Sequence, residues 1–261
     1  MGIEASTPEI RLWCAFYGEI DDERLLGEYR QLLSEPERAQ ERRFYFADDR
    51  RRYLVTRALV RTVLSRYVAS DIAPGQWTFV TNGFGRPEIA NEHPRAAQIS
   101  FNISHTKQVI LLGIACGQAL GVDVESLHDR RSLLDIADRF FAPCEVQALS
   151  ALPAGQQQRR FFEYWTLKES YIKARGMGLS IALDQFSFRF PEGGLIELSV
   201  DPRQQDTAAR WRFWQLWLRD EYLAAVCAQR TYGECPRLVV SETIPLVSEK
   251  ALTLRPFRAS T

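Results

Sequence analysis

Residues 162–174 read FEYWTLKESYIKA, and the reading of the fold starts here. On a period of about 3.6 residues, Phe161, Phe162, Trp165 and Ile172 fall on one stripe of a helix, flanked by Tyr164 and Tyr171. Glu169 falls between Phe162 and Trp165 on that stripe, and Lys168 falls near Phe161. A buried charge costs free energy unless it is paired or bound to a metal. The helix therefore carries two charges that need partners. GMGLS (176–180) ends it, with glycine after the last turn.

Outward from this helix, a second long one is predicted over Arg50–Val68, where Leu54, Val55, Leu59, Val63 and Tyr67 recur at helical spacing. Residues 9–17 read as a strand. Residues 22–46 read as broken helix, with Pro36 opening a new turn. TNGFGRP (81–87) is a glycine-rich turn after the short strand WTFV. ISFNIS (99–104) and VILLGIA (109–115) are strands, and CGQ (116–118) is expected to close a hairpin into ALGVDVE (119–125). Residues 132–151 hold helical segments around Pro143. FSFRF (186–190), LIELSV (195–200) and WRFWQLWL (211–218) are strands, and RDE turns the last into YLAAVCA (222–228). Each half thus shows a long helix, a strand and a hairpin, which suggests two similar α+β lobes, 1–117 and 118–261. The tail from about 236 is less patterned.

The chain has 261 residues, with 33 Lys plus Arg balancing 33 Asp plus Glu, and lacks the basic excess of a general nucleic-acid binder. Five scattered cysteines without a C-x-x-C support neither a disulfide framework nor a zinc site, and a reducing cytoplasm fits them. No apolar run reaches ~18 residues, so no membrane span is expected. No signal peptide is read at the start. MGIEAS matches the myristoylation pattern, but no second membrane signal follows.

The chemistry starts at GVDVE (121–125). Residues two apart in a strand share a face, ~6–7 Å apart, so Asp123 and Glu125 stand together while Val122 and Val124 face the core. Alone, D-x-E is common at a solvated strand end. If the helix of Glu169 packs beside this strand, three carboxylates converge. Two carboxylates about 4 Å apart repel by roughly 4 kcal/mol at an effective dielectric of about 20. A divalent cation removes that repulsion, and all-oxygen donors favour Mg²⁺ or Mn²⁺, which commonly also hold substrate phosphates. Lys168 and Lys173 could reach phosphate oxygens or set a base. Pairing of Glu169 with Lys173 at i, i+4 in water explains a surface pair but not the stripe position. Ser104 and His105, in FNISHT (101–106), follow a strand directly; without a G-x-S-x-G elbow, a phosphate contact or a structural role suits them better than a hydrolase triad. The arginine-rich run 42–54 reads mainly as a solvated, self-paired helix surface. No Walker loop or G-x-G-x-x-G appears.

FNISHT, GVDVE, RFF (139–141) with Glu145, and W-x-x-K-E-x-x-x-K (165–173) together resemble the 4′-phosphopantetheinyl transferases, in the longer class serving nonribosomal peptide and polyketide synthases. The resemblance runs from about Arg38 to about Cys227. It implies an α+β fold of two similar lobes related by a pseudo-twofold. Each lobe is a small, mostly antiparallel sheet on a long helix, and the active site lies in the cleft between them. The N-terminal lobe then makes the nucleotide contacts and the C-terminal lobe carries the metal and catalytic residues. The implied reaction moves the phosphopantetheine arm of coenzyme A to a serine of an apo acyl or peptidyl carrier domain and leaves adenosine 3′,5′-bisphosphate. Asp123, Glu125 and Glu169 resemble the Mg²⁺ ligands, with Mn²⁺ as a substitute; Glu169 also resembles the base, and Lys173 a catalytic lysine. Lys168 resembles a pyrophosphate contact. Ser104, His105, Arg52, Arg86 and Arg38 resemble further coenzyme A contacts, Arg86 standing where some relatives carry lysine in a G-K-P turn. Glu145 matches a recurrent acid to which the sequence assigns no role. The segment 126–150, bordering the metal strand, is expected to contribute to the carrier surface. A cytoplasmic monomer with no nucleic-acid or membrane partner is expected. The rival readings are another Mg²⁺-dependent phosphotransferase or phosphohydrolase, and a non-catalytic carrier-binding relative.

Overall fold

In the computed structural model, which describes residues 8–128, 133–231 and 235–261, the helix expected over Arg50–Val68 runs Ala47–Tyr67. In chain order the elements are β1 (Glu9–Ala15), α1 (Glu23–Leu32), α2 (Glu35–Arg43), α3 (Ala47–Tyr67), β2 (Phe79–Thr81), β3 (Pro87–Ile89), β4 (Ile99–Thr106), β5 (Val109–Cys116) and β6 (Leu120–Ser126). There follow α4 (Leu133–Phe140), α5 (Pro143–Ser150), α6 (Ala154–Arg175), β7 (Phe186–Arg189), β8 (Glu197–Val200), β9 (Trp211–Leu218), β10 (Tyr222–Gln229), β11 (Arg237–Ile244), β12 (Ser248–Leu252) and β13 (Arg258–Ala259). The fold is mixed α+β. The MGIEAS start and residues 129–132 of the expected carrier surface lie outside the described residues.

Two compact units emerge. The first comprises residues up to Gly83, Pro87–Gly117 and Pro236–Thr253; the second comprises Phe84–Arg86, Gln118–Cys235 and Leu254–Thr261. Residues 236–253, grouped in the sequence with the second lobe, thus join the first. The reason is strand pairing: β11 runs parallel to β1 and antiparallel to β12.

In the first unit the sheet order is β12-β11-β1-β5-β4. Leu54, Val55, Leu59 and Val63 of α3 are buried with Trp13, Phe101, Ile110 and Leu112, as the helical spacing requires. The break before α3 has local causes. Asp22 caps α1 by accepting from the N–H groups of Arg24 and Leu25. Pro36 opens α2, and the Glu37 carboxylate accepts the Ser34 N–H at 2.9 Å.

In the second unit an antiparallel sheet, β13-β9-β10-β6, carries α6 across β6, β10 and β9. Helices α4 and α5 and strand β7 pack on α6 as well. The expected hairpin from VILLGIA into ALGVDVE does not form. Strand β5 has both edges occupied, by β1 and β4, so β6 pairs with β10 in the other sheet. The β9–β10 hairpin does form at Arg219–Glu221.

Candidate functional site

Strand β6 carries Asp123 and Glu125 on the face that receives α6. Gly121 shares that face, and its hydrogen is what admits the helix: a Cβ there would stand 2.0 Å from the Ser170 carbonyl oxygen and 2.3 Å from the Ala174 nitrogen. This approach brings helix and acidic strand together. Asp123 is 3% exposed, so the acidic face is not the solvated one that an isolated D-x-E suggests. Val122 and Val124 are buried, as expected.

Helix α6 differs from the single oily stripe of the sequence reading. Between Phe161 and Ala174 every residue is buried except Trp165, Glu169 and Lys173. These three, four apart, form the part-open line of the helix. Periodicity gives an angle around the axis, but α6 is covered on several sides, so apolar residues occupy nearly every angle. Glu169 therefore stands at an opening and does not interrupt a buried stripe.

Around that opening the Lys173 ammonium lies 2.6 Å from Asp123 Oδ1. The Trp165 indole N–H donates to Glu125 Oε1 at 3.2 Å. Burial, and then repulsion from Asp123, push the Glu169 carboxyl up to about 7, against the opposing pull of Lys173. Arg86 donates to the carbonyls of Lys173 (2.5 Å) and Leu120 (3.1 Å), tying the last turn of α6 to the start of β6. Gly176, at φ 66°, closes the helix beside it. Arg86, expected to contact coenzyme A, has these backbone partners here.

Among the described residues no three His, Cys, Asp or Glu side chains form a ready metal cluster. Asp123 is engaged by Lys173 and Glu125 by Trp165. The donor set is nonetheless all oxygen. Glu169 is raised first by burial and then by Asp123, so its charged form lacks solvation that a cation would replace. Both features fit a hard divalent cation.

Lys168 requires a correction. Expected on pyrophosphate, its side chain is fully buried, 2.7 Å from Glu145 Oε2, itself fully buried. The ammonium also donates to the carbonyls of Leu183 (2.7 Å) and Phe186 (2.8 Å), so its three protons have three acceptors. Burial pushes the Glu145 carboxyl up and the Lys168 ammonium down, and the contact between them opposes both shifts. Glu145 thereby acquires the role that its sequence position left open. It opens α5 by accepting the Ala142 N–H, accepts the Phe188 N–H of β7 at 2.9 Å, and neutralises Lys168 under α6.

The remaining candidates lie in the first unit. Arg38 pairs with Glu35 at 3.1 Å and donates to the Leu33 carbonyl at 2.5 Å. Arg52 pairs with Asp49 at 2.8 Å, one turn back on α3. Ser104 and His105 do not follow a strand but lie within β4, Ser104 buried and His105 exposed.

Two family models cover most of the chain: the 4′-phosphopantetheinyl transferase superfamily over residues 119–227, and the 4′-phosphopantetheinyl transferase N-terminal family over 23–116. Over 218 residues the chain is 31% identical to the 4′-phosphopantetheinyl transferase HetI of Nostoc sp., covering 84% of this chain and 86% of that protein. The chain belongs to the 4′-phosphopantetheinyl transferases. It is also 34% identical over 172 residues to the transferase Sfp of Bacillus subtilis (strain 168), covering 66% of this chain and 73% of that one. A putative 4′-phosphopantetheinyl transferase of Synechocystis sp. is 33% identical over 191 residues, covering 73% and 74%.

In this transferase, three residues shape the site in ways the sequence does not state. Gly121 had a signal, a glycine one pleat before Asp123 on the same face of the strand. Trp165, which belongs to the apolar stripe and opens the W-x-x-K-E-x-x-x-K motif, carries an N–H donor that needs a partner when buried, and that contact to Glu125 is not legible in the sequence. Glu145 carried no local signal, because its partner Lys168 comes from another helix.

Proposed function

We propose that this transferase moves the 4′-phosphopantetheine arm of coenzyme A to a serine hydroxyl of an apo acyl or peptidyl carrier domain. The serine oxygen forms a new bond to the phosphorus bearing the pantetheine arm. The bridging P–O bond of the pyrophosphate breaks, and adenosine 3′,5′-bisphosphate leaves with the electron pair. The reading is carried by α6 setting the Glu169 carboxyl, on its part-open line, beside Asp123 of the acidic strand. Glu169 would accept the serine proton, directly or through water.

Asp123, Glu125 and Glu169 would hold Mg²⁺, or Mn²⁺ in its place, which when bound supplies charge neutralisation to the pyrophosphate. Lys173 offsets Asp123 and keeps a cation at the reacting end. Arg38, Arg52, Ser104 and His105 are assigned to coenzyme A contacts on the N-terminal unit, and the transfer chemistry to the C-terminal one. The reading includes a cytoplasmic monomer, testable by fractionation and size-exclusion chromatography. No helix among the described residues is long and apolar enough to cross a membrane.

The deciding experiment incubates the protein with coenzyme A, Mg²⁺ and apo carrier domains and weighs the carriers. The expected result is a gain equal to one phosphopantetheine arm on the carrier serine. No gain on any of several carriers, or turnover of simple phosphate esters instead, overturns the reading.

A further inference from the structure

Glu125 and Asp123 share one face of β6 but are held in chemically different ways. Asp123 is met by an ammonium, Lys173 at 2.6 Å, whose charge opposes any incoming cation. Glu125 is met by a neutral donor, the Trp165 indole N–H at 3.2 Å. A hydrogen bond from a fixed donor restricts the orientation of a carboxylate. The indole is itself constrained. It stacks on Phe161 (centroids 5.8 Å apart, 16° between planes) and on Phe141 (6.3 Å, 29°), and those two rings stack on each other at 5.2 Å and 14°. Phe161 and Phe141 are buried core residues, so the stack ties the direction of the N–H to the core of the unit.

We propose that Trp165 is a positioning residue for the transfer, its stacked indole fixing the orientation of the Glu125 carboxylate that a divalent cation would use. Glu125 otherwise has several rotatable bonds and stands at the part-open end of β6. Ordering it in advance removes a cost that cation binding would have to meet, as outer-shell partners do in metal sites generally. The W-x-x-K-E spacing then has a mechanical meaning. Trp165 and Glu169 are one helical turn apart on the same open line, so α6 contributes one carboxylate directly and orients a second on the strand beside it.

The proposal rests on the assignment of Asp123, Glu125 and Glu169 to a divalent cation. The test is Mn²⁺ binding to the metal-free full chain, read from the free-ion electron paramagnetic resonance signal. Trp165→Phe keeps the ring stack and removes the donor. Its Mn²⁺ affinity is expected to fall about 10- to 100-fold, the range for lost outer-shell partners, with the melting temperature unchanged. In a Glu125→Ala background the same substitution is expected to change affinity less than about twofold, because Trp165 acts through Glu125. Wild-type affinity in Trp165→Phe, or losses that simply add in the double variant, overturn the role of Trp165 while leaving the cation assignment standing. Absence of Mn²⁺ binding to the wild-type chain overturns both. If Trp165→Phe does not fold, benzothienylalanine at 165, which replaces the N–H by sulfur in the same ring shape, makes the same comparison.

Discussion

Replacing Lys168 by methionine separates two roles that a lysine in this motif can have. In this structure Lys168 is fully buried with its ammonium 2.7 Å from Glu145. The bare Coulomb attraction at that distance is about 6 kcal/mol at an effective dielectric of about 20, most of it offset by desolvation of both ions. Lys168→Met leaves the Glu145 carboxylate buried without its cation, and breaking a buried pair from one side costs about 3–5 kcal/mol. That is a large share of a typical total stability of about 5–15 kcal/mol. For a chain of this size the melting temperature should fall by about 10 °C, at roughly 2–4 °C per kcal/mol. The double variant Lys168→Met/Glu145→Gln should recover only part of the loss. Glutamine carries no charge but keeps an acceptor for only one of the two N–H groups, Ala142 on Oε2 or Phe188 on Oε1, and leaves the other without its acceptor. Thermal melts by circular dichroism give the stabilities, and initial rates with varied coenzyme A give KM on the folded fraction. A Lys168→Met protein that melts like wild type but shows a tenfold higher KM for coenzyme A would refute the structural role and restore the pyrophosphate contact.

Three further outcomes are expected. Gly121→Ala places a Cβ 2.0 Å from a backbone oxygen that no side-chain rotation can relieve, so α6 must move off β6. A stability loss of about 1–3 kcal/mol and loss of most transfer activity should follow, and wild-type behaviour in both would sink the close-approach account. Glu169→Gln should stabilise the metal-free protein at high pH only. The folded carboxyl lies at about 7 against an ordinary 4.5, so the wild type loses stability as pH rises from 4.5 to about 7 and then levels off. The gain from the substitution should reach up to about 3 kcal/mol near pH 8 and vanish below about pH 4.5. Urea unfolding with chelator at both ends of that range decides it; an equal gain at both would show that titration is not the cause. Arg86→Met removes one donor from the carbonyls of Lys173, which also accepts the Gly176 N–H, and Leu120, and hydrogen exchange at the last turn of α6 should accelerate while exchange in α3 does not. Equal protection in the variant would remove Arg86 from that role.

Much of this protein is determined locally, and there the sequence is sufficient. The apolar spacing of α3, the new turn at Pro36, the glycine stop after α6 and the same-face placement of Asp123 and Glu125 on β6 all depend on neighbours within a few residues. The acidic residues are different: a same-face D-x-E is common, and only the approach of α6, with Lys173 at Asp123 and Trp165 at Glu125, gives it a setting. Tertiary structure decided the rest, in each case through partners far apart in the chain. Whether β5 folds back on β6 depends on whether β1 and β4 already occupy its edges, which no turn signal reports. The tail acquires strands because β1 offers an open edge to β11. Two adjacent charges on α6 have opposite fates: Lys168 turns inward to Glu145, and Glu169 stands at the opening beside Asp123. Helical periodicity places them about 100° apart around the axis. Only the packing of β6, α5 and β7 around that axis determines which direction is core and which is site.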